Sequence, residues 1–419
     1  MKNLEILAKF WYNKNIICDF VTLKGEIMKN KLIKLLAVAL SLGFLLTACG
    51  GAGNGGGEGG AGGSESDSII IGGIAPLTGN VAIYGTTATN GANLAVKEIN
   101  ENGGINGKQI DFRVEDDKGD ITEATNAYNK LVDEGMVALL GSITSQPSNA
   151  VAERAAADNM PMLTPTGTQF GITEGRPNVF RVCFTDPFQG EMLAQYASET
   201  MDVKTAAVMR NTSGDYSNGV ADAFVAKAEE LGIEIVADES YGNTDTDFRA
   251  QLTNISGTNP DVLIIPDYYQ IIALIAPQAR EVGIEATLMG PDGWDGVSQQ
   301  LDPSAYPTVE GSIFTNHYSI KDENEKVQGF ITAYTEEYGE EPSAFAALAY
   351  DGMYLLKESI EQAGSEDSQA IVDAMKGITF EGVTGNLSFD DNNNPIKSVS
   401  MIKLVDGDYT LDSVLEPNN

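Results

Sequence analysis

Six hydroxyl side chains cluster at the ends of two short apolar runs. Residues 137–141 lead into Ser142, Thr144 and Ser145, and residues 161–163 lead into Thr164, Thr166 and Thr168, with an alanine-rich stretch between. Apolar run, hydroxyl-rich turn, helical composition and second apolar run read as strand, helix, strand. Two parallel strands would deliver all six hydroxyls to one sheet edge. Ligands of open α/β sheets sit just outside the carboxyl ends of the strands, where free backbone N–H groups and a helix N-terminus attract negative charge. Ser145, expected one residue before its helix, therefore suits a carboxylate. On local grounds alone, the same serine also reads as a helix N-cap and the threonines as turn residues.

The whole chain sets limits on this chemistry. Its 419 residues are 42% hydrophobic, enough for two or three ordinary domains with a sizeable core. The net charge of −34 leaves no basic stripe for phosphate contacts, so a nucleic-acid partner is not expected. Cysteines occur at 18, 49 and 183 and the single histidine at 317, which argues against a Cys/His zinc site or a disulfide framework. No metal or cofactor is expected. A hydrolase would need one histidine to fill every role, and no Gly-x-Ser-x-Gly elbow is present.

The N-terminus carries addressing information. Lys29, Lys31 and Lys34 precede an apolar run of about a dozen residues that ends in Leu46-Thr47-Ala48-Cys49. This is a secretory signal too short for a membrane span, and its last four residues resemble a bacterial lipobox, which implies lipid modification at Cys49. The signal occupies residues 28–48, and residues 1–27 read as an upstream extension before the true start at Met28. Residues 49–68, rich in glycine, form a flexible tether.

Beyond residue 69, β-branched runs alternate with amphipathic stretches. Strands are expected over 69–74, 110–115, 179–184, 205–210, 233–240, 262–266 and 287–289, with helices over 88–100, 121–134, 188–200, 217–231, 248–256 and 271–282. A helical tail over 325–363 and strands over 387–389 and 398–404 complete the chain. So many parallel strands exceed one ordinary sheet, and two α/β lobes are expected. Gly103-Gly104-Ile105-Asn106-Gly107-Lys108 follows a helix and lacks a hydroxyl after the lysine, so it is a turn and not a phosphate loop. Asp390-Asp391-Asn392-Asn393-Asn394 lacks the glycine and glutamate of a calcium loop, so it is a hairpin turn.

An ordered set of short motifs then carries a resemblance. Ile74-Ala75-Pro76-Leu77-Thr78-Gly79, Tyr84-Gly85, Gly91-Ala92, the glycine turn at 103–107 and Asp116-Asp117 resemble the first lobe of the leucine/isoleucine/valine-binding proteins. Pro266-Asp267-Tyr268-Tyr269, Met289-Gly290-Pro291-Asp292-Gly293, Pro342-Ser343 and Ala349-Tyr350-Asp351-Gly352 continue it, so that it covers nearly everything from residue 69 onward. These are the solute receptors of branched-chain amino acid ABC importers. The resemblance implies two Rossmann-like lobes with parallel sheets joined by a three-strand hinge, the type I periplasmic-binding fold. The first lobe would comprise 69–186 with 316–395 and the second 187–315 with 396–419, with crossovers near 185–187, 315–317 and 394–397.

The resemblance also implies a ligand set. Ser145, the Thr166 backbone and Thr168 would hold the α-carboxylate and α-ammonium of an amino acid, and Tyr84 would line the pocket. Tyr216 and Tyr268 would close over the ligand from the second lobe, and Asp292 would pair with the ammonium in place of the family's glutamate, one methylene shorter. Thr144 stands at one cysteine position of the family's first-lobe disulfide, which is absent here. Ile143, Thr144 and Phe345 are candidate walls for the ligand side chain. Trp294 either joins them or packs under its turn, and His317 is expected to be structural. A zwitterion needs donors at one end and an anion at the other, which this set supplies. The expected protein is a non-enzymatic, monomeric, lipid-anchored receptor on the outer face of a bacterial membrane that passes an aliphatic amino acid to a permease and its ATPase. The alternative on the same fold is an amide or amino-acid sensor feeding a signalling partner.

Overall fold

The computed structural model describes residues 68–416. The expected upstream extension, the signal, Cys49 and the tether up to residue 67 lie outside the described residues, and Ser68, the expected last residue of the tether, opens β1.

The first sheet is built from β1 (Ser68–Ala75), β2 (Gln109–Asp116), β3 (Ala138–Gly141), β4 (Met162–Thr164) and β5 (Val179–Arg181). It is parallel throughout, in the order β2-β1-β3-β4-β5. Its crossovers are α1 (Ala82–Glu101), α2 (Ile121–Asp133) and α3 (Ser145–Asp158). β3, β4 and β5 are buried at every position, as expected for short apolar strands covered on both faces by helices.

The chain then leaves this sheet. It continues through α4 (Asp186–Glu199), β6 (Thr205–Asn211), α5 (Asp215–Glu230), β7 (Glu234–Tyr241), α6 (Arg249–Ser256), β8 (Val262–Ile264), α7 (Tyr269–Glu281), β9 (Thr287–Gly290), the short α8 (Val297–Gln300) and β10 (Ile313–Asn316). A second pass returns it to the first lobe as α9 (Glu325–Tyr338), α10 (Ala344–Ala363), α11 (Ser368–Lys376) and the hairpin β11 (Thr379–Gly382) and β12 (Gly385–Ser388). A third pass delivers β13 (Val399–Val405) and β14 (Asp408–Leu415) to the second sheet, whose order is β14-β13-β10-β9-β8-β6-β7. Strands β6 to β10 are mutually parallel, while β13 runs antiparallel to both neighbours.

Several local expectations need correction. The helical tail is two helices, because Gly339 takes a left-handed φ of 77° and Pro342 follows before Ser343 caps α10 through the Ala346 N–H. α1 starts six residues earlier than expected, at Ala82, through Gly and β-branched residues that tertiary packing overrides. Ser145 is the first residue of α3, and Thr144 is the residue before it, without a side-chain capping bond. β10, β11, β14 and α11 have no counterpart in the sequence expectation. The 390–394 segment is the expected turn: Asp390 Oδ1 accepts from the N–H groups of Asn392 and Asn394, both at 2.8 Å.

The long α10 lies against α1 and also reaches β3 and β4, so the returning segment completes the first lobe. The two helices approach closely at Gly91, where an added Cβ would stand 2.0 Å from the Ala346 carbonyl oxygen. Neither backbone can yield without moving a helix. Gly91→Ala is therefore expected to destabilise by roughly 2 kcal/mol despite alanine's better helix propensity, read as a lower urea midpoint at unchanged slope.

Candidate functional site

The loops after β3 and β4 meet at the carboxyl edge of the first sheet, and the hydroxyls divide into two groups. Ser142 donates to Asp117, while Ser148 and Thr164 both donate to the Ser142 carbonyl, at 2.9 and 2.7 Å. The Thr166 hydroxyl donates to the Ile143 carbonyl at 2.7 Å. These side chains bind loop to loop. Ser145 and Thr168 remain, with their oxygens 3.5 Å apart and both residues buried. Gln169 N–H, from the loop after β4, donates to Ser145 Oγ at 3.3 Å, and Ser145 is the first residue of α3.

Across the cleft, Asp292 opens the turn after β9 and is 2% exposed. Its N–H donates to Gln189 Oε1 at 2.9 Å, an oxygen that also accepts the Thr315 hydroxyl at 2.8 Å. The Tyr216 hydroxyl donates to Asp292 Oδ1 at 2.8 Å, and His317 Nε2 lies 3.0 Å from Oδ2. His317, expected to be structural, thus touches the candidate residue Asp292. Burial presses its pKa down to about 4 against the opposing pull of Asp292, so the imidazole is neutral at pH 7.

Asp186 is the residue the sequence expectation missed. It is the first residue of α4, 1% exposed, and neither carboxylate oxygen meets a protein donor in good hydrogen-bond geometry. Burial holds its carboxyl well above the usual range, with the approaching Thr168 hydroxyl pulling it down and the charge of Asp292 pushing it further up. A buried carboxylate lacking donors is costly unless a cation arrives. In the sequence, Thr185-Asp186-Pro187 looks like a helix start at a crossover, and a buried charge leaves no periodic signature there.

Aromatic rings close the space between these groups. Tyr84 stacks on Phe345 with centroids 4.1 Å apart and planes at 6°. Its hydroxyl donates to the Gly293 carbonyl and accepts from the Tyr269 N–H at 3.2 Å, joining the first lobe to the second. Tyr268 stacks on Tyr216 at 5.0 Å and meets Tyr84 edge-on at 5.7 Å. Burial raises the pKa of all three tyrosines, so they remain hydrogen-bond donors at any physiological pH. Further ties cross the cleft: Gln146 Nε2 donates to the Ser213 carbonyl at 3.1 Å, and the Ala344 N–H donates to Asp295 Oδ2 at 2.9 Å.

The remaining expected walls separate. Phe345 faces Tyr84 as described. Thr144 borders a polar cavity of about 310 Å³ at the cleft, together with Tyr216 and Tyr268. Ile143 lines a narrow recess in the first-lobe core with Leu140, Pro165 and Ala349. Trp294 packs under its turn: it is fully buried, its indole N–H donates to the Ile265 carbonyl at 2.9 Å, and a Cβ on Gly290 would collide with the ring. The structure thus brings Tyr84, Ser145, Thr166, Thr168, Tyr216, Tyr268, Asp292 and Phe345 together, adds Asp186 and His317, and sets Ile143 and Trp294 among core contacts. Asp186 stands beside the hydroxyls of the first sheet's edge, its N–H donating to the Thr168 carbonyl at 2.9 Å, and Asp292 stands on the second sheet behind Tyr216.

The profile of the periplasmic binding protein family matches residues 68–408. The Leu/Ile/Val-binding protein BraC3 of Rhizobium johnstonii is 35% identical over 332 residues, covering 76% of this chain and 89% of that protein. The leucine-, isoleucine-, valine-, threonine- and alanine-binding protein of Pseudomonas aeruginosa is 28% identical over 327 residues, covering 78% and 87%. Among solved structures, the branched-chain amino acid transporter substrate-binding protein LivJ of Streptococcus pneumoniae, in complex with isoleucine, has a TM-score of 0.78 and 36% identity over 84% of this chain and all of its own. The leucine-binding protein LivK of Thermotoga maritima has a TM-score of 0.77 and 34% identity over 83% of this chain and 99% of its own. By its fold, its cleft and these relatives, the chain belongs to the periplasmic binding protein family, in the leucine/isoleucine/valine-binding group.

Proposed function

We propose that this protein captures a branched-chain aliphatic amino acid between its lobes and delivers it to an ABC permease driven by its ATPase, without acting on it chemically. The carrying observation is the gathering of Ser145, Thr168 and Asp186 at the edge of the first sheet, where the Asp186 N–H donates to the Thr168 carbonyl at 2.9 Å, with Asp292 buried after β9 beneath the Tyr216 hydroxyl. The α-carboxylate takes the hydroxyls and the α3 N-terminus, and the α-ammonium takes the two carboxylates and the Thr166 backbone. The stacked Tyr84 and Phe345 offer an apolar face to an aliphatic side chain. The ligands named for the Pseudomonas and Streptococcus relatives support the same class.

Ligand contacts made by both lobes favour the closed arrangement, and a permease that reads closure receives loaded receptor. The lobes divide near the three chain passes, as 69–186 with 316–395 and 187–315 with 396–419. The receptor works as a monomer held at the outer membrane face by lipid on Cys49, with the glycine-rich segment as its tether.

Charge-assisted hydrogen bonds contribute about 1.5–3 kcal/mol each, so Ser145→Ala is expected to weaken leucine, isoleucine or valine binding roughly 10- to 100-fold in calorimetric titration. Leucinamide and isocaproate, each lacking one charge, should bind far more weakly than leucine. Asp186→Asn separates function from folding: affinity falls about 100-fold or more, while the ligand-free melting temperature holds or rises because a buried carboxyl without donors is removed. Unchanged affinity in Asp186→Asn would remove that residue from the site. Lipidation is read by radiolabelled palmitate incorporation and partition into a detergent phase, both lost in Cys49→Ala.

A further inference from the structure

Asp292 has a short side chain on a tight Pro-Asp-Gly turn, so small rotations about its single methylene would swing its charge away from a ligand. Its two oxygens are each fixed by one partner: Tyr216 O–H at 2.8 Å on Oδ1 and His317 Nε2 at 3.0 Å on Oδ2. Each carboxylate oxygen has two lone pairs, so one on each stays open. The His317 ring is itself immobilised. Its side chain is fully buried and stacks on Phe184 with centroids 3.7 Å apart, while its backbone N–H donates to Asn316 Oδ1 at 2.8 Å. Phe184 follows β5 where the chain first leaves the first lobe, and His317 follows β10 where it leaves the second.

We propose that His317 is a positioning residue for the ammonium end of the cleft, aiming the Asp292 carboxylate by an Nε2–H donation and tying that aim to two of the chain passes between the lobes. The inference deepens the function proposed above and rests on it. The tautomer follows from the surroundings. Asp292 can only accept, so Nε2 carries the proton, and Nδ1 is buried without a partner, so a proton there would be an unsatisfied donor. The charged groups acting on the ring are Asp292, from the turn after β9, and the buried Lys397, from the third pass, which disfavours an imidazolium alongside burial. The arrangement lets a carboxylate of limited reach meet a ligand without losing freedom at the moment of binding.

The test uses His317→Phe, which keeps the stack on Phe184 and removes the N–H, and His317→Gln, whose amide can present an N–H where Nε2 stands. The probe is whichever of leucine, isoleucine and valine binds the wild-type protein most tightly, titrated calorimetrically at pH 7. The Phe variant is expected to bind at least tenfold more weakly, with a melting temperature near that of wild type, and the Gln variant to stay within about threefold of wild type. Because the chain has one histidine, 15N-histidine NMR of the wild-type protein reports this ring alone. It should show the neutral Nε2–H tautomer from pH 8 to pH 5, with the Nε2 signal shifting on ligand addition. Wild-type affinity in the Phe variant, equal losses in both variants, or an Nδ1–H or charged ring at pH 7 would each overturn the inference. The NMR result decides even if the Phe variant does not fold. A wild-type protein that binds no amino acid overturns the proposed function and this inference with it, whereas wild-type binding with an unaffected Phe variant overturns this inference alone.

Discussion

The burial of negative charge without a matching positive side chain governs this molecule. Asp186 and Asp292 lie within the same closed cleft, and each raises the cost of charging Asp186 further, one through its own desolvation and the other through repulsion. Arg181 is buried nearby, but its terminal nitrogens donate to the Gly167, Gln169 and Phe170 carbonyls and the Thr173 hydroxyl, so its charge offsets the field without contacting the carboxylates. An interior arranged this way has a standing preference for a small cation. Pairing that cation with a carboxylate of its own, as an amino acid does, lets the neighbouring hydroxyl-lined edge share in the same event.

The sheet topology makes this possible with few special residues. Parallel strands end together, so β3 and β4 bring their loops to one edge, while β9 and β10 bring Asp292 and His317 to the facing edge. Most hydroxyls at the first edge then serve the scaffold. Ser148 and Thr164 donate to the Ser142 carbonyl and Thr166 to the Ile143 carbonyl, which ties the two loops together around Ser145 and Thr168.

The legibility of the sequence follows the same physics. Periodicity revealed the parallel α/β architecture because buried strands are continuous apolar runs, and hydroxyls after such runs marked the ligand edge. The family resemblance put forward Tyr84, Tyr216, Tyr268 and Asp292, which no local pattern singles out and which the fold places near one another. Asp186 escaped because its importance lies in what does not surround it, and His317 because its partner is twenty-five residues away on another loop. β14, with its alternating and partly exposed residues, has no buried run to announce it. Trp294 was undecidable from sequence, since a large ring beside a glycine turn can face either way until the glycine beneath it is seen.

The Tyr84 side chain has two tasks. The ring forms the wall against which Phe345 stacks, and its oxygen accepts from one second-lobe residue while donating to another. In the proposed site, recognition of a side chain and the latching of the lobes would therefore share a single residue. A lineage that enlarged this pocket by trimming Tyr84 would weaken closure in the same step, so drift toward bulkier solutes is coupled to slower or leakier handover, and new specificities are more readily reached by changes on the Phe345 side.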